Sequence, residues 1–154
     1  MHHDLAPDGD AIRKPAVDTH PPRILVVEDD ATFAEVVRYE LEVGGYQVEL
    51  TSSVSEAQRR MRDDNDLDLV ISDVRLPGKS GLQLLFPEGA DAKPTPVLMM
   101  SAFISPKLQR FVEGMGAAVL EKPFTFAKLH LSVIRLLRRA AGATTDTCGM
   151  KGVE

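Results

Sequence analysis

Four short apolar runs, each stopping abruptly at polar residues, constrain this chain more than anything else in it. Ile24-Leu25-Val26-Val27 ends in Glu28-Asp29-Asp30, and Leu67, Leu69, Val70 and Ile71 lead to Asp73. Val97-Leu98-Met99-Met100 ends at Ser101, and Ala117-Ala118-Val119-Leu120 at Glu121-Lys122-Pro123. Runs this short and this uniformly apolar suit strands buried on both faces, as in a parallel sheet sandwiched by helices. In such sheets the carboxyl ends of the strands are where ligands bind. Parallel packing would gather an acidic pair, a lone aspartate, a hydroxyl and a lysine along one edge.

Between the runs the pattern changes to helical spacing. Phe33, Val36, Val37 and Leu41 predict a helix ending at Gly44-Gly45, and Tyr46 to Leu50 a short second strand. Ser53 with Glu56 reads as a capping box for a helix that buries Val54, Ala57 and Met61. After Asp73, Pro77-Gly78 turns the chain, and a short helix from Gly81 to about Phe86 is cut off by Pro87, Gly89 and Pro94. Ser105-Pro106 starts the next helix, with Leu108, Phe111, Val112 and Met115 as its expected buried stripe and Gly116 as its end. A last helix, about Thr125 to Ala140, is expected to bury Phe126, Leu129, Val133, Leu136 and Leu137. Arg135, Arg138 and Arg139 fall in its final turns, where cations oppose the helix dipole. This alternation predicts an α/β fold, a three-layer doubly wound parallel sheet of five strands in flavodoxin-like order 2-1-3-4-5. Strands 1 and 3 then meet at the switch point, with Glu28 and Asp29 beside Asp73.

The 154 residues fit one domain with tails: a disordered lead over 1–22, a folded unit over 23–140 and a flexible tail over 141–154. A net charge of -5 weighs against nonspecific binding to nucleic acid or an anionic membrane. No apolar run approaches the roughly 20 residues of a membrane span, so a cytoplasmic protein is expected. Cys148 is the single cysteine, which excludes an internal disulfide and a cysteine metal site. His2-His3, in the lead, are not read as a metal site.

Carboxylates crowded at one strand edge repel one another and are stable together near neutral pH only around a cation. Oxygen donors alone, with no His or Cys at a strand end, favour Mg2+. Asp73 could then serve as a nucleophile toward a phosphoryl group. Lys122 would pair with a phosphate oxygen and Ser101 would donate a hydrogen bond to another. Taken singly, each residue also has an ordinary use: a helix cap for Asp29-Asp30, a turn former for Asp73, a surface lysine, a capping serine.

The stretches ILVVEDD, VISDVRLPG, VLMMSA and AAVLEKPF, in this order and spacing, resemble the receiver domains of two-component response regulators over Arg23 to about Arg139. The resemblance implies Glu28 and Asp29 as Mg2+ ligands, Asp73 as ligand and phosphoacceptor, and the Arg75 backbone carbonyl as a further ligand. It implies Ser101 as switch hydroxyl, Lys122 as the phosphate-binding lysine, and a cis peptide before Pro123. The expected partners are a sensor histidine kinase or histidine phosphotransfer protein and an unnamed downstream protein. The expected role is that of a signalling phosphoacceptor and not an enzyme, standing alone or as a fragment of a longer regulator.

Two positions depart from the family. Val119 stands where receivers usually carry the aromatic that couples the hydroxyl to the output surface, and the Pro87–Pro96 loop follows a shortened third helix. The side chain of Arg75 could influence hydrolysis of the phosphoryl group or simply face solvent. His130 reads as an exposed helix residue and not a phosphodonor. Competing readings are a flavin binder, which Glu28-Asp29-Asp30 would repel, and a haloacid-dehalogenase-like phosphohydrolase, whose first acid would here be Glu28. A third is a degenerate receiver that only binds protein.

Overall fold

The computed structural model describes residues 20–86 and 94–143. Most of the expected lead, the loop after Phe86 up to Lys93, the end of the tail and Cys148 lie outside them. The elements run β1 (Arg23–Val27), α1 (Ala31–Val43), β2 (Gln47–Thr51), α2 (Val54–Asp63), β3 (Leu69–Asp73), a 3-10 helix (Gly81–Leu85), β4 (Val97–Ser101), α3 (Pro106–Gly114), β5 (Ala118–Glu121) and α4 (Phe126–Ala143). All strand pairs are parallel, in the order β2-β1-β3-β4-β5. Each strand therefore delivers its last residue to the same edge.

Side-chain alternation divides the apolar runs between two cores. Ile24, Val26, Leu69, Ile71, Leu98 and Met100 pack under α1 and α4, while Leu25, Val27, Val70, Val97 and Met99 pack under α2, the 3-10 helix and α3. Burial on both faces explains why these strands read as continuous apolar runs. Caps set where each helix begins. Asp30 accepts the Phe33 N–H at 3.1 Å, Ser53 the Glu56 N–H at 3.2 Å, and Ser105 the Leu108 N–H at 3.0 Å. At the end of α1, Gly45 takes a positive φ of 97°, which glycine adopts without strain.

Several expectations are corrected. The capping box is only half made: Glu56 pairs with Arg59, and the Ser53 N–H goes to Thr51 Oγ1. Tyr46 precedes β2, its N–H closing α1 onto the Leu41 carbonyl. Of the stripe foreseen on α3 only Val112 is buried, with Phe111 and Met115 exposed. This helix packs against β5, the edge strand of the sheet. Phe126 is likewise exposed, in the first turn of α4. That helix runs to Ala143 and so takes in Ala141 and its neighbours, expected as tail, and Arg135 to Arg139 lie before its last turn. His130 is half-buried against α1, its Nε2 3.7 Å from Glu40 Oε2. Gly44 makes room for it, since a Cβ there would lie 2.9 Å from His130 Cε1.

At the amino end of the sheet Arg23 organises a charged network. It bonds Asp64 at 2.9 Å and Glu49 at 3.1 Å, and Arg60 bridges the same two carboxylates. The Arg23 backbone N–H donates to Asp68 at 2.8 Å, tying β1 to the start of β3.

Candidate functional site

At the opposite edge the charges do not balance. Glu28 follows β1, its N–H continuing the β1–β2 ladder to the Thr51 carbonyl at 3.0 Å. Asp73 closes β3, in register with Met100 of β4. Glu28, Asp29 and Asp73 each turn a carboxylate oxygen into a group whose members lie within 4.8 Å of one another. Lys122, following β5, reaches across with Nζ 2.8 Å from Asp73 Oδ2 and 3.2 Å from Glu28 Oε2. Burial pushes the Glu28 carboxyl above its usual range, against the pull of the Asp30 N–H and Lys122. Burial would lower the Lys122 ammonium, but its bonds to Asp73 and Glu28 prevail and hold it above the ordinary lysine value. Glu28 and Asp73 thus share one fixed cation, with the Asp29 carboxylate beside them.

Asp73 is held from its own loop as well. The Arg75 N–H donates to Asp73 Oδ1 at 3.2 Å, and the Val74 N–H donates to the Met100 carbonyl at 2.9 Å. The Gly81 N–H returns to the Val74 carbonyl at 2.9 Å, which draws the 3-10 helix against the loop. A Cβ on Gly81 would lie 2.0 Å from the Asp73 carbonyl oxygen, so only glycine permits this approach. Arg75 is exposed, and the Lys122–Pro123 peptide is cis.

Ser101 ends β4 and is 7% exposed. Its hydroxyl donates to the Phe103 carbonyl at 2.9 Å and accepts the Phe103 N–H at 3.3 Å. The Lys122 N–H donates to the Ser101 carbonyl at 2.8 Å, fixing the two ends side by side. Val119 is half-buried in β5. The structure therefore gathers Glu28, Asp29, Asp73 and Lys122 into direct contact range, and sets Ser101 on the neighbouring strand with its hydroxyl engaged by its own loop.

Sequence reasoning missed three residues here. Phe33 places its ring 4.5 Å beneath the Lys122 ammonium, a cation–π contact, and Phe124 meets Phe33 edge-on at 5.9 Å. Phe33 had looked like one more core residue of α1, and only its nearness to the acidic pair in sequence hinted otherwise. Gly81 was visible as a helix start, but its pressure on Asp73 was not.

The model of the response regulator receiver domain family matches residues 24–134, and these include every residue of the site. The chain belongs to the response regulator receiver family. Among its relatives, the two-component response regulator PhoP of Pseudomonas aeruginosa is 33% identical over 128 residues, covering 81% of this chain and 56% of the relative. The phosphate regulon transcriptional regulatory protein PhoB of Rhizobium meliloti is 32% identical over 135 residues, covering 83% and 59%. The receiver here thus spans little more than half the length of either. Among solved structures, the chemotaxis response regulator CheY4 of Vibrio cholerae superposes with a TM-score of 0.67 at 28% identity, covering 75% of this chain and 98% of that one. The HemR receiver domain from Leptospira biflexa gives 0.65 at 31%, covering 75% and 94%. Receiver domains are signalling phosphoacceptors with an acidic pocket for Mg2+, and the acidic group of this receiver is the one described above. No described helix is long and apolar enough to cross a membrane.

Proposed function

We propose that this receiver accepts a phosphoryl group on Asp73 from the phosphohistidine of a sensor histidine kinase or a histidine phosphotransfer protein, in the cytoplasm. The observation that carries the reading is the acidic trio within 4.8 Å with Lys122 bonded to two of its members. An all-oxygen donor set fits Mg2+, which keeps several waters and asks few ligands of the protein. Glu28, Asp29, Asp73 and the Arg75 backbone carbonyl would hold it. When bound, Mg2+ offsets negative charge on the carboxylates and on an incoming phosphoryl group.

In the transfer, an Asp73 carboxylate oxygen forms a bond to phosphorus while the phosphorus–nitrogen bond of the donor breaks. The imidazole leaves with the electron pair and is protonated from solvent. Lys122, already on Asp73 Oδ2, pairs with a phosphoryl oxygen as a point charge, and the Ser101 hydroxyl donates to another. Phosphorylation then shifts the population between two surfaces that a downstream protein distinguishes, whether the domain stands alone or is part of a longer regulator.

Intact mass after incubation with acetyl phosphate and Mg2+ tests this. A gain of one phosphoryl group is expected in the wild type, with none in Asp73→Asn or with a chelator. Val119 favours a second reading, a receiver that binds protein without being phosphorylated. A folded wild type that binds Mg2+ and gains no mass would favour it and make partner capture the next experiment.

A further inference from the structure

The Ser101 hydroxyl has one proton to give. Here it is given to the Phe103 carbonyl, while the same oxygen takes the Phe103 N–H, so both backbone polar groups of Phe103 rest on a single side chain. The Ser101 backbone cannot follow its hydroxyl. It is fixed as the last residue of β4, in register with Glu121, with its carbonyl held by the Lys122 N–H. Only the side chain is free to turn. If an oxygen of a phosphoryl group on Asp73 takes that proton, the Phe103 carbonyl loses its donor and the N–H loses its aligned acceptor.

Phe103 can bear the loss. It is 71% exposed, so water can satisfy both groups, and Ala102 to Ile104 belong to no helix or strand. The segment is thus tethered on one side by Ser101 and on the other by the capping serine of α3, Ser105, and its ring is the most exposed among the large apolar side chains described. Val119, by contrast, is half-buried and carries too few atoms to bring an aromatic edge from core to surface.

We infer that Phe103, released when the Ser101 hydroxyl turns to the phosphoryl group, is the aromatic by which this domain displays its phosphorylation state. The inference rests on Asp73 being the phosphoacceptor. It assigns the output surface to the segment just ahead of α3, and its recognition element to an apolar ring that changes position.

The chain contains no tryptophan, so Phe103→Trp supplies a single tryptophan, excited selectively over the two tyrosines, at the position in question. Full-length Phe103→Trp, with Mg2+ alone as baseline, is mixed with acetyl phosphate while intact mass and emission are followed together. The expected result is a mass gain accompanied by a shift of the emission maximum. Adding Ser101→Ala, which takes a hydrogen bond from the phosphoryl group and is expected to slow the mass gain, should remove the shift from the fraction that becomes phosphorylated. Ser101→Thr, which keeps a hydroxyl, should restore it. A mass gain without a shift in Phe103→Trp overturns the inference, as does an equal shift with Ser101→Ala. Absence of any mass gain in folded wild type and variants overturns the phosphoacceptor reading first, and the inference with it.

Discussion

The two ends of one sheet handle charge in opposite ways. At the amino end, Arg23 and Arg60 each pair with both Glu49 and Asp64, with the exposed Asp66 4.0 Å from Arg23 at the rim, in a network of nearly matched sign. At the carboxyl end, three carboxylates, Glu28, Asp29 and Asp73, crowd together, and Lys122 bonds only Glu28 and Asp73 among them. A matched network ties elements together and asks for nothing further. An acidic excess in a half-buried pocket is tolerated because a cation can relieve it. Structural and functional electrostatics can therefore be told apart by counting partners, and the test is what happens when one charge is deleted at each end.

Crowding at the carboxyl end should give the largest effect on stability. Gly81→Ala forces a methyl group onto the Asp73 carbonyl and is expected to cost about 1–3 kcal/mol, as overpacking does, and to slow phosphoryl uptake by moving Asp73. Chemical denaturation and the acetyl phosphate mass assay check the two parts. Asp29→Asn should leave metal-free stability within about 0.5 kcal/mol, since it removes a repelling charge from the surface. Its deficit should appear only with Mg2+. If the affinity falls roughly tenfold, a concentration of 100 times the wild-type Kd that stabilises the wild type by about 2.7 kcal/mol would give the variant about 1.4. Thermal melts with and without Mg2+ read this directly.

At the amino end the same deletion should act without metal. Arg23→Ala strands Glu49 and Asp64 beside Arg60 and is expected to cost about 1 kcal/mol, the figure for a partly exposed network, equally with and without Mg2+. Its pH dependence follows from the carboxylates. Burial opposes ionisation of Glu49 and Asp64, but hydrogen bonds prevail, from Arg60 and Arg23 to Glu49 and from the Asp66 N–H and both arginines to Asp64, holding both below the usual carboxylate range. Groups lowered on folding contribute stability above their unfolded pKa, near pH 4, and lose it as pH falls through the folded values. The gap between wild type and Arg23→Ala should therefore be full at pH 6 and narrow below about pH 4. A cost at the amino end that depended on Mg2+, or one at Asp29 that did not, would break the distinction.

Much of this was legible in the sequence because burial on both faces leaves a plain mark. Ile24–Val27 and Val97–Met100 could hardly be other than central strands, and their polar ends fixed which residues would meet. Asp30, Ser53 and Ser105 announced their helices by local hydrogen bonding alone. What stayed hidden depended on distances between elements. Spacing shows which side of α3 faces inward but not how much sheet lies beneath it, so Phe111 and Met115 were placed too deep. The reach of Phe33 to Lys122 joins residues far apart in sequence, and no local pattern encodes it. The third helix was rightly read as short, but neither its 3-10 form nor the close approach of Gly81 to the Asp73 carbonyl is written in any local pattern.

Lys122 has a consequence for how the molecule comes into being. Bonded to Glu28 and Asp73, it is a counter-ion that the chain brings with it, covalently attached and always present. A newly synthesised copy can close its most acidic corner before meeting any ion from its surroundings. Metal supply then governs when the domain can be charged with phosphate, under the function proposed above, and not whether a cell obtains a folded protein.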